Sequence, residues 1–169
     1  MTGYILYAFL APLSLLFNLF VIITSPFWAF IAAILKVGEF PYPFSWVHTH
    51  DNNIYGGNTI PNSFKERFKI AVWWLCRNPG YGFDAHLLGF RGDEVVDQII
   101  TVNRGEWSSG GAFRIDKITL TNGRTRFSYR RNISLWGNRY IKVWFGWHYF
   151  DQAGYRMLKF DINPFKKGN

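Results

Sequence analysis

Charge is missing from the start of this chain: no Asp, Glu, Lys or Arg occurs before Lys36, and all thirty charged residues of the 169 follow. A helix facing water along its whole length is thereby excluded. Cysteine occurs once, at Cys76, which rules out an internal disulfide framework and a paired-cysteine metal motif. Acidic residues number eleven and form no evident acid/base pair. A Gly-rich phosphate loop and a nucleophile elbow are also lacking, so the common nucleotide and acyl-transfer chemistries have no residues to carry them. No internal repeat, low-complexity tract or single-sign charge block is present.

What stands at the N-terminus is YILYAFLAPLSLLFNLFVIITSPFWAFIAAIL, an apolar run from Tyr4 to Leu35. As a helix it extends about 48 Å, more than the ~30 Å hydrocarbon core of a bilayer. Two arrangements fit it. One is a single long helix, tilted or kinked at Pro12 or Pro26, with the lost backbone bond satisfied locally. The other is a helix, a turn at Ser25-Pro26, and a second, re-entrant helix. A cleaved signal peptide fits poorly, since nothing basic precedes Tyr4. A core helix of this length needs a larger domain around it than the remaining residues supply. The residues expected in the membrane are Tyr4, Phe9, Pro12, Phe17, Phe20, Pro26, Phe27, Trp28 and Phe30. The basic flank begins at Lys36 and continues through Lys65, Arg67, Lys69 and Arg77, which places the bulk of the chain on the cytoplasmic side.

The net charge is +8 and aromatic residues make up 20% of the chain, with 17 Phe, 9 Tyr and 8 Trp. A basic, aromatic chain held at a membrane is expected to lie against anionic lipid, although rings also serve simply to fill a small core. Three parts are expected: a membrane anchor over 1–36, an irregular connection over 37–62, and a small basic α+β domain over 63–169.

In the connection, His48, His50 and Asp51 offer two imidazoles and a carboxylate. The spacing matches no zinc signature, and a turn rich in hydrogen-bonding side chains is the reading preferred. No cofactor or metal is expected. One amphipathic helix follows from Asn62 or Ser63, with Ser63 and Glu66 spaced as a capping box, Phe64, Phe68, Val72 and Leu75 as its apolar face, and an end before Pro79. Lys65, Arg67 and Lys69 crowd its first turns, where cations are unfavourable, so phosphate headgroups or acidic neighbours are expected to compensate. Trp73 and Trp74 suit a helix lying along the membrane surface; packing on the sheet is the alternative.

From Glu94 the periodicity is that of strands: Val95–Val102, Phe113–Thr121, Arg124–Arg130, Tyr140–Phe150 and Tyr155–Ile162. Asn122-Gly123 and residues 151–154 mark two hairpins. About five antiparallel strands result, in one curved sheet or an incomplete barrel, so the fold class is α+β. Alternation sets Arg124, Arg126 and Arg130 on one face of the third strand and Phe127 and Tyr129 on the other. That basic row, with Lys65 and Lys69, is a candidate phosphate or lipid contact, against the plain reading of a solvated face. Lipid is the expected phosphate source, and nucleic acid is not expected as a partner. The fourth strand is apolar on both faces, as for a strand covered twice or resting on lipid or a partner.

Taken in order, Thr49, Asp51, Asn52 and Gly56 or Gly57, then Arg77, Asn78, Pro79, Tyr81, Gly82 and Phe83, then Asn163, Pro164 and Phe165, resemble the pattern of a family of short, uncharacterised bacteriophage and prophage proteins. The resemblance covers most of the chain and implies no biochemical activity; His48 and His50 stand outside its pattern. Within the set, Asp51 and Arg77 are suited to an ion pair tying the loop to the helix end, with Asn52 and Asn78 satisfying backbone groups. Alternatively Asp51, Asn52, Arg77, Asn78 and Tyr81 form a ligand pocket. The expectation overall is a non-enzymatic phage protein at the host inner membrane, whose cytoplasmic domain binds lipid and a phage or host protein. The alternative is a virion component that inserts during genome delivery.

Overall fold

The apolar run folds as one helix, α1 (Gly3–Leu35), in a computed structural model that describes residues 3–49, 52–90, 94–106, 108–150 and 155–168, apart from the side chains of Phe150, Tyr155 and Phe165. Ser25-Pro26 does not break it. Pro26 has no N–H for the Ile22 carbonyl four residues back, and the Ser25 hydroxyl donates to that oxygen instead at 2.9 Å. The re-entrant turn expected as one alternative is therefore corrected to continuous helix. α1 closes with Lys36 in the left-handed region (φ 53) and the Val37 N–H returning to the Ala32 carbonyl. Its buried positions are small: Ala11, Ser14, Asn18, Val21, Ser25, Ala29 and Ala32 recur every three or four residues.

A 3-10 turn (Phe44–Val47) follows, then α2 (Phe64–Arg77), α3 (Tyr81–His86), β1 (Val96–Arg104), β2 (Phe113–Leu120), β3 (Thr125–Ser134), β4 (Arg139–Phe150) and β5 (Tyr155–Lys167). The chain divides into two compact units, Leu16–Leu87 and Met1–Leu15 with Leu88–Asn169, so α1 contributes to both. α2 groups with the loop and the second part of α1.

In the unit Leu16–Leu87, Val21, Ala29 and Ala32 of α1 meet Phe40, Val47, Ile54 and Tyr55 of the connection and Ala71 and Leu75 of α2. The inward face of α2 is Arg67, Ala71 and Leu75, while Phe64, expected on it, is exposed. Ala71 permits close approach to the small stripe of α1, and Arg67 turns inward for the carbonyl groups described below. Ser63 is the N-cap, but its side chain makes no capping hydrogen bond, which corrects the expected capping box. The helix ends at Arg77, with the Asn78 N–H on the Trp74 carbonyl. α3 was not foreseen. Gly80 (φ 63) opens it, and Gly82 lies so close to the Ser45 and Trp46 backbone that any Cβ would collide.

In the other unit the sheet is an antiparallel meander in the order β1-β2-β3-β4-β5. The Asn122-Gly123 signal sits in a three-residue hairpin: Leu120 N–H bonds the Arg124 carbonyl at 2.9 Å and Gly123 takes φ 74. Pro164, which has no N–H for a ladder, falls where β5 carries an extra residue, between the Lys142↔Asn163 and Tyr140↔Lys166 pairs. Residues 151–154, where the second turn was expected, lie outside the described residues.

Candidate functional site

The outer face of α1 is apolar and open. Ile23 is 76% exposed, and Phe9, Leu16, Phe27, Phe30 and Ile34 are exposed with it. Of the residues expected in the membrane, Tyr4, Phe9, Pro12, Phe20, Pro26, Phe27 and Phe30 are exposed. Phe17 and Trp28 turn toward the protein. Phe17 stacks on Phe83 at 4.1 Å between centroids, and Trp28 lies against Phe40. The polar groups of this part of the helix are satisfied within it: Thr24 Oγ1 donates to the Phe20 carbonyl and accepts from Trp28 Nε1 at 3.0 Å. Exposed rings flank the helix, since Phe64 sits edge-on to Phe30 and Phe44 lies near Trp28. Lys65 and Lys69, expected at a phosphate or lipid contact, are exposed, as is Lys36 at the end of α1.

Arg67 is buried, and sequence reasoning placed it only among first-turn cations. Its Nε donates to the Ala33 carbonyl at 2.8 Å and its Nη1 to the carbonyls of Pro61 and Asn62. The cation thus meets the C-terminal carbonyls of α1 rather than headgroups or acids. Tyr55 supports the same helix end, its hydroxyl donating to the Ala32 carbonyl, and burial raises its pKa.

The loop around Asn52, for which an ion-paired turn and a ligand pocket were the two alternatives, is held by hydrogen bonds of its own. Asn53 accepts the N–H groups of Tyr55 and Gly57, and the Asn52 carbonyl accepts the Thr49 hydroxyl. Asn78 is the buried C-cap of α2, Tyr81 is buried at the start of α3, and Arg77 is half-buried. Asp51 and His50 lie outside the described residues. His48 is buried with both ring nitrogens engaged: Nδ1–H donates to the Thr49 carbonyl at 2.6 Å and Nε2 accepts the Phe40 N–H. Among the described residues no three His, Cys, Asp or Glu side chains gather as for a metal.

Inside the sheet unit several charged side chains are buried, among them Glu94, Asp116, Arg126, Arg130, Lys142 and Asp161. Arg126 and Arg130, expected on a solvated or phosphate-facing row, are buried, whereas Arg124 in the turn is exposed. Arg126 pairs with buried Glu94 and its guanidinium lies over the Trp147 ring. Arg130 reaches Asn132 and lies over Trp144. Neither side chain is placed to hold a headgroup, which corrects that expectation: alternation separated the two faces of β3 but did not say which was covered. On the same face Asp116 accepts Thr101, Arg114 and Ser128 from β1, β2 and β3.

Lys142 and Asp161 form a buried pair at 2.9 Å. Burial pushes the Lys142 ammonium down to about 8, against the pull of Asp161. Burial also disfavours the Asp161 carboxylate, but Lys142, Lys159 and Lys166 outweigh it and hold its pKa below the usual value. Burial keeps His148 neutral, its pKa well below the ordinary imidazole value, and the neighbouring cations add to this. Its Nδ1 accepts Trp144 Nε1–H while Nε2–H donates to the Phe145 carbonyl.

The family follows from a comparison over the full length, against which these features can be set. The chain belongs to the family of unknown function DUF7338, whose profile matches residues 1–169. Comparison with curated proteins and with solved structures gives no match. Family membership assigns no reaction, so the chemistry rests on the geometry. Arg126, Lys142, His148 and Asp161 of the sheet are buried with partners inside their unit, while the open surface of α1 is apolar.

Proposed function

We propose that this chain is a non-enzymatic binding protein attached to a membrane through the outer face of α1. The observation that carries this reading is the exposed apolar face of a 33-residue helix without a single charge. Apolar surface of that extent is favoured out of water, and lipid supplies the area. Lys36, Lys65 and Lys69 beside it favour an anionic leaflet. The resemblance to phage and prophage proteins supports the host inner membrane as the location, with the bulk of the chain cytoplasmic and available to a phage or host protein.

Flotation of the purified full chain with vesicles of phosphatidylethanolamine and phosphatidylglycerol tests the attachment. The wild-type chain is expected to float, and an Ile23→Glu/Phe27→Glu variant with unchanged circular dichroism to stay behind. A wild-type chain that remains at the bottom of the gradient sinks the proposal. Mass spectrometry of purified particles tests the site of action: presence at the level of structural subunits would move the role to genome delivery.

A further inference from the structure

A helix long enough to cross a bilayer need not cross one, and the packing of α1 bears on which it does. A crossing segment takes about 20 residues, and every such window within Gly3–Leu35 contains residues 16–22. In the unit Leu16–Leu87 that stretch is already covered on one side. Phe17 stacks on Phe83 of α3, a Cβ at Gly80 would collide with Asn18, and Val21 is in the core with Ala71 and Leu75. α3 exposes His86, while its Asp84 is buried. Farther along, α2 lies antiparallel beside the helix, from Arg67 at Ala33 to Cys76, whose Sγ is 3.4 Å from Ser25 Oγ. α2 exposes Lys65, Glu66 and Lys69.

A crossing placed over this stretch therefore carries either the exposed, polar His86 of α3 or the charged outer face of α2 to hydrocarbon depth. The first turns of α1 meet the same obstacle in the sheet unit. Tyr4 stacks on Phe127, and Tyr7 touches Phe127 and Trp147 and donates to the Lys159 carbonyl at 2.7 Å. An isolated interfacial helix requires a charged face of its own. Here that face is replaced by small residues packed on the protein, which leaves only apolar surface to meet lipid.

The sheet face that holds Phe127 adds a second apolar surface in its own unit. Val102, Ile115, Tyr129, Phe145 and Phe160 stand in register across all five strands. Val102, Ile115 and the neighbouring Ile162 are exposed, and the three rings are half-buried. The opposite face holds the buried ion pairs.

Building on the membrane attachment proposed above, we propose that α1 lies parallel to the membrane plane in one anionic leaflet, its outer face inserted, and does not cross. The cations at Lys36, Lys65 and Lys69 meet the headgroups, which is why the occupant is anionic lipid rather than a second apolar protein surface.

The test uses the full chain on phosphatidylglycerol-containing vesicles, with single spin labels at Leu16, Ile23, Phe27 and Ile34 in a Cys76→Ser background. Collision with oxygen and with a water-soluble nickel chelate reports depth. Four similar, shallow depths are expected, roughly 5–10 Å below the headgroups. A profile deepest at Ile23 and Phe27 and rising toward both ends overturns the proposal while leaving membrane attachment intact. Absence of all four labels from lipid overturns both. Label–label broadening at Ile23 without lipid would assign the face to a second copy and also overturn it. Polarised infrared spectroscopy of the unlabelled chain on oriented bilayers guards against labelling artefacts: the main helical axis is expected in the plane, and a helix near the bilayer normal contradicts the proposal.

Discussion

Arg67 shows how one side chain joins distant parts of a unit. Its guanidinium meets carbonyls from the end of α1 and from the residues preceding α2, 34 and 6 positions away. Removing it leaves those carbonyls without a donor, so Arg67→Met is expected to cost about 3 kcal/mol, measured by urea unfolding. Arg67→Lys keeps the charge but not the fork and is expected to recover less than half. A Met variant within about 0.5 kcal/mol of wild type would show that the contacts contribute nothing net. Lys142 gives a second test, through pH. Its folded value near 8 lies below the ordinary 10.5, so the unfolded chain binds more protons between these values. Stability is therefore expected to rise from about pH 8 to pH 10.5, by up to roughly 3 kcal/mol, and to fall back on return to neutrality. Lys142→Met should lose this rise; an unchanged pH profile would show that another group carries it.

Elements, more than single residues, decide whether α1 is continuous. Ser25 and Pro26 act together, since the hydroxyl of the first satisfies the carbonyl that the second abandons. Ser25→Ala is expected to cost about 1 kcal/mol in the native background. In a Pro26→Ala background the new N–H takes the Ile22 carbonyl, and the cost should fall below half. Equal costs in the two backgrounds would separate the serine from the proline. Within the sheet, Gly146 has φ 92, and a Cβ there would run into the Phe127 carbonyl. Gly146→Ala is expected to lose more than about 2 kcal/mol, read as a fall in Tm. Both strand partners of β4 depend on this bend, because Gly146 pairs with Ser128 on one side and Lys159 on the other.

For the whole molecule, the distribution of charge is the informative quantity. The outside of α1 carries none, the inside of the sheet unit carries several buried pairs, and free lysines stand beside the apolar surface. Binding to anionic vesicles should therefore combine an apolar part insensitive to salt with an electrostatic part that is screened. Lys65→Glu/Lys69→Glu is expected to lower vesicle affinity at least tenfold at 0.1 M salt and much less at 1 M, on the basis of about 1 kcal/mol per surface charge. A loss that is the same at both salt concentrations would count against electrostatic attraction.

The amino-acid sequence by itself determined the elements whose cause is local. The uncharged run at residues 4–35, the α2 region ending before Pro79 and the five strand segments all follow from spacing over a few residues. So does the Asn122-Gly123 hairpin, which needs only a left-handed glycine. The tertiary structure decided which way each element faces. Alternation placed Arg126 and Arg130 opposite Phe127, but only Glu94, 32 positions earlier in the chain, and Trp144 on β4 made their face the covered one. Helical spacing nominated Phe64 for the core of α2, yet Arg67 took the inward position because the carbonyl end of α1 lies there. Backbone periodicity is set by neighbours a few residues away, whereas burial is set by partners that only the folded chain brings together.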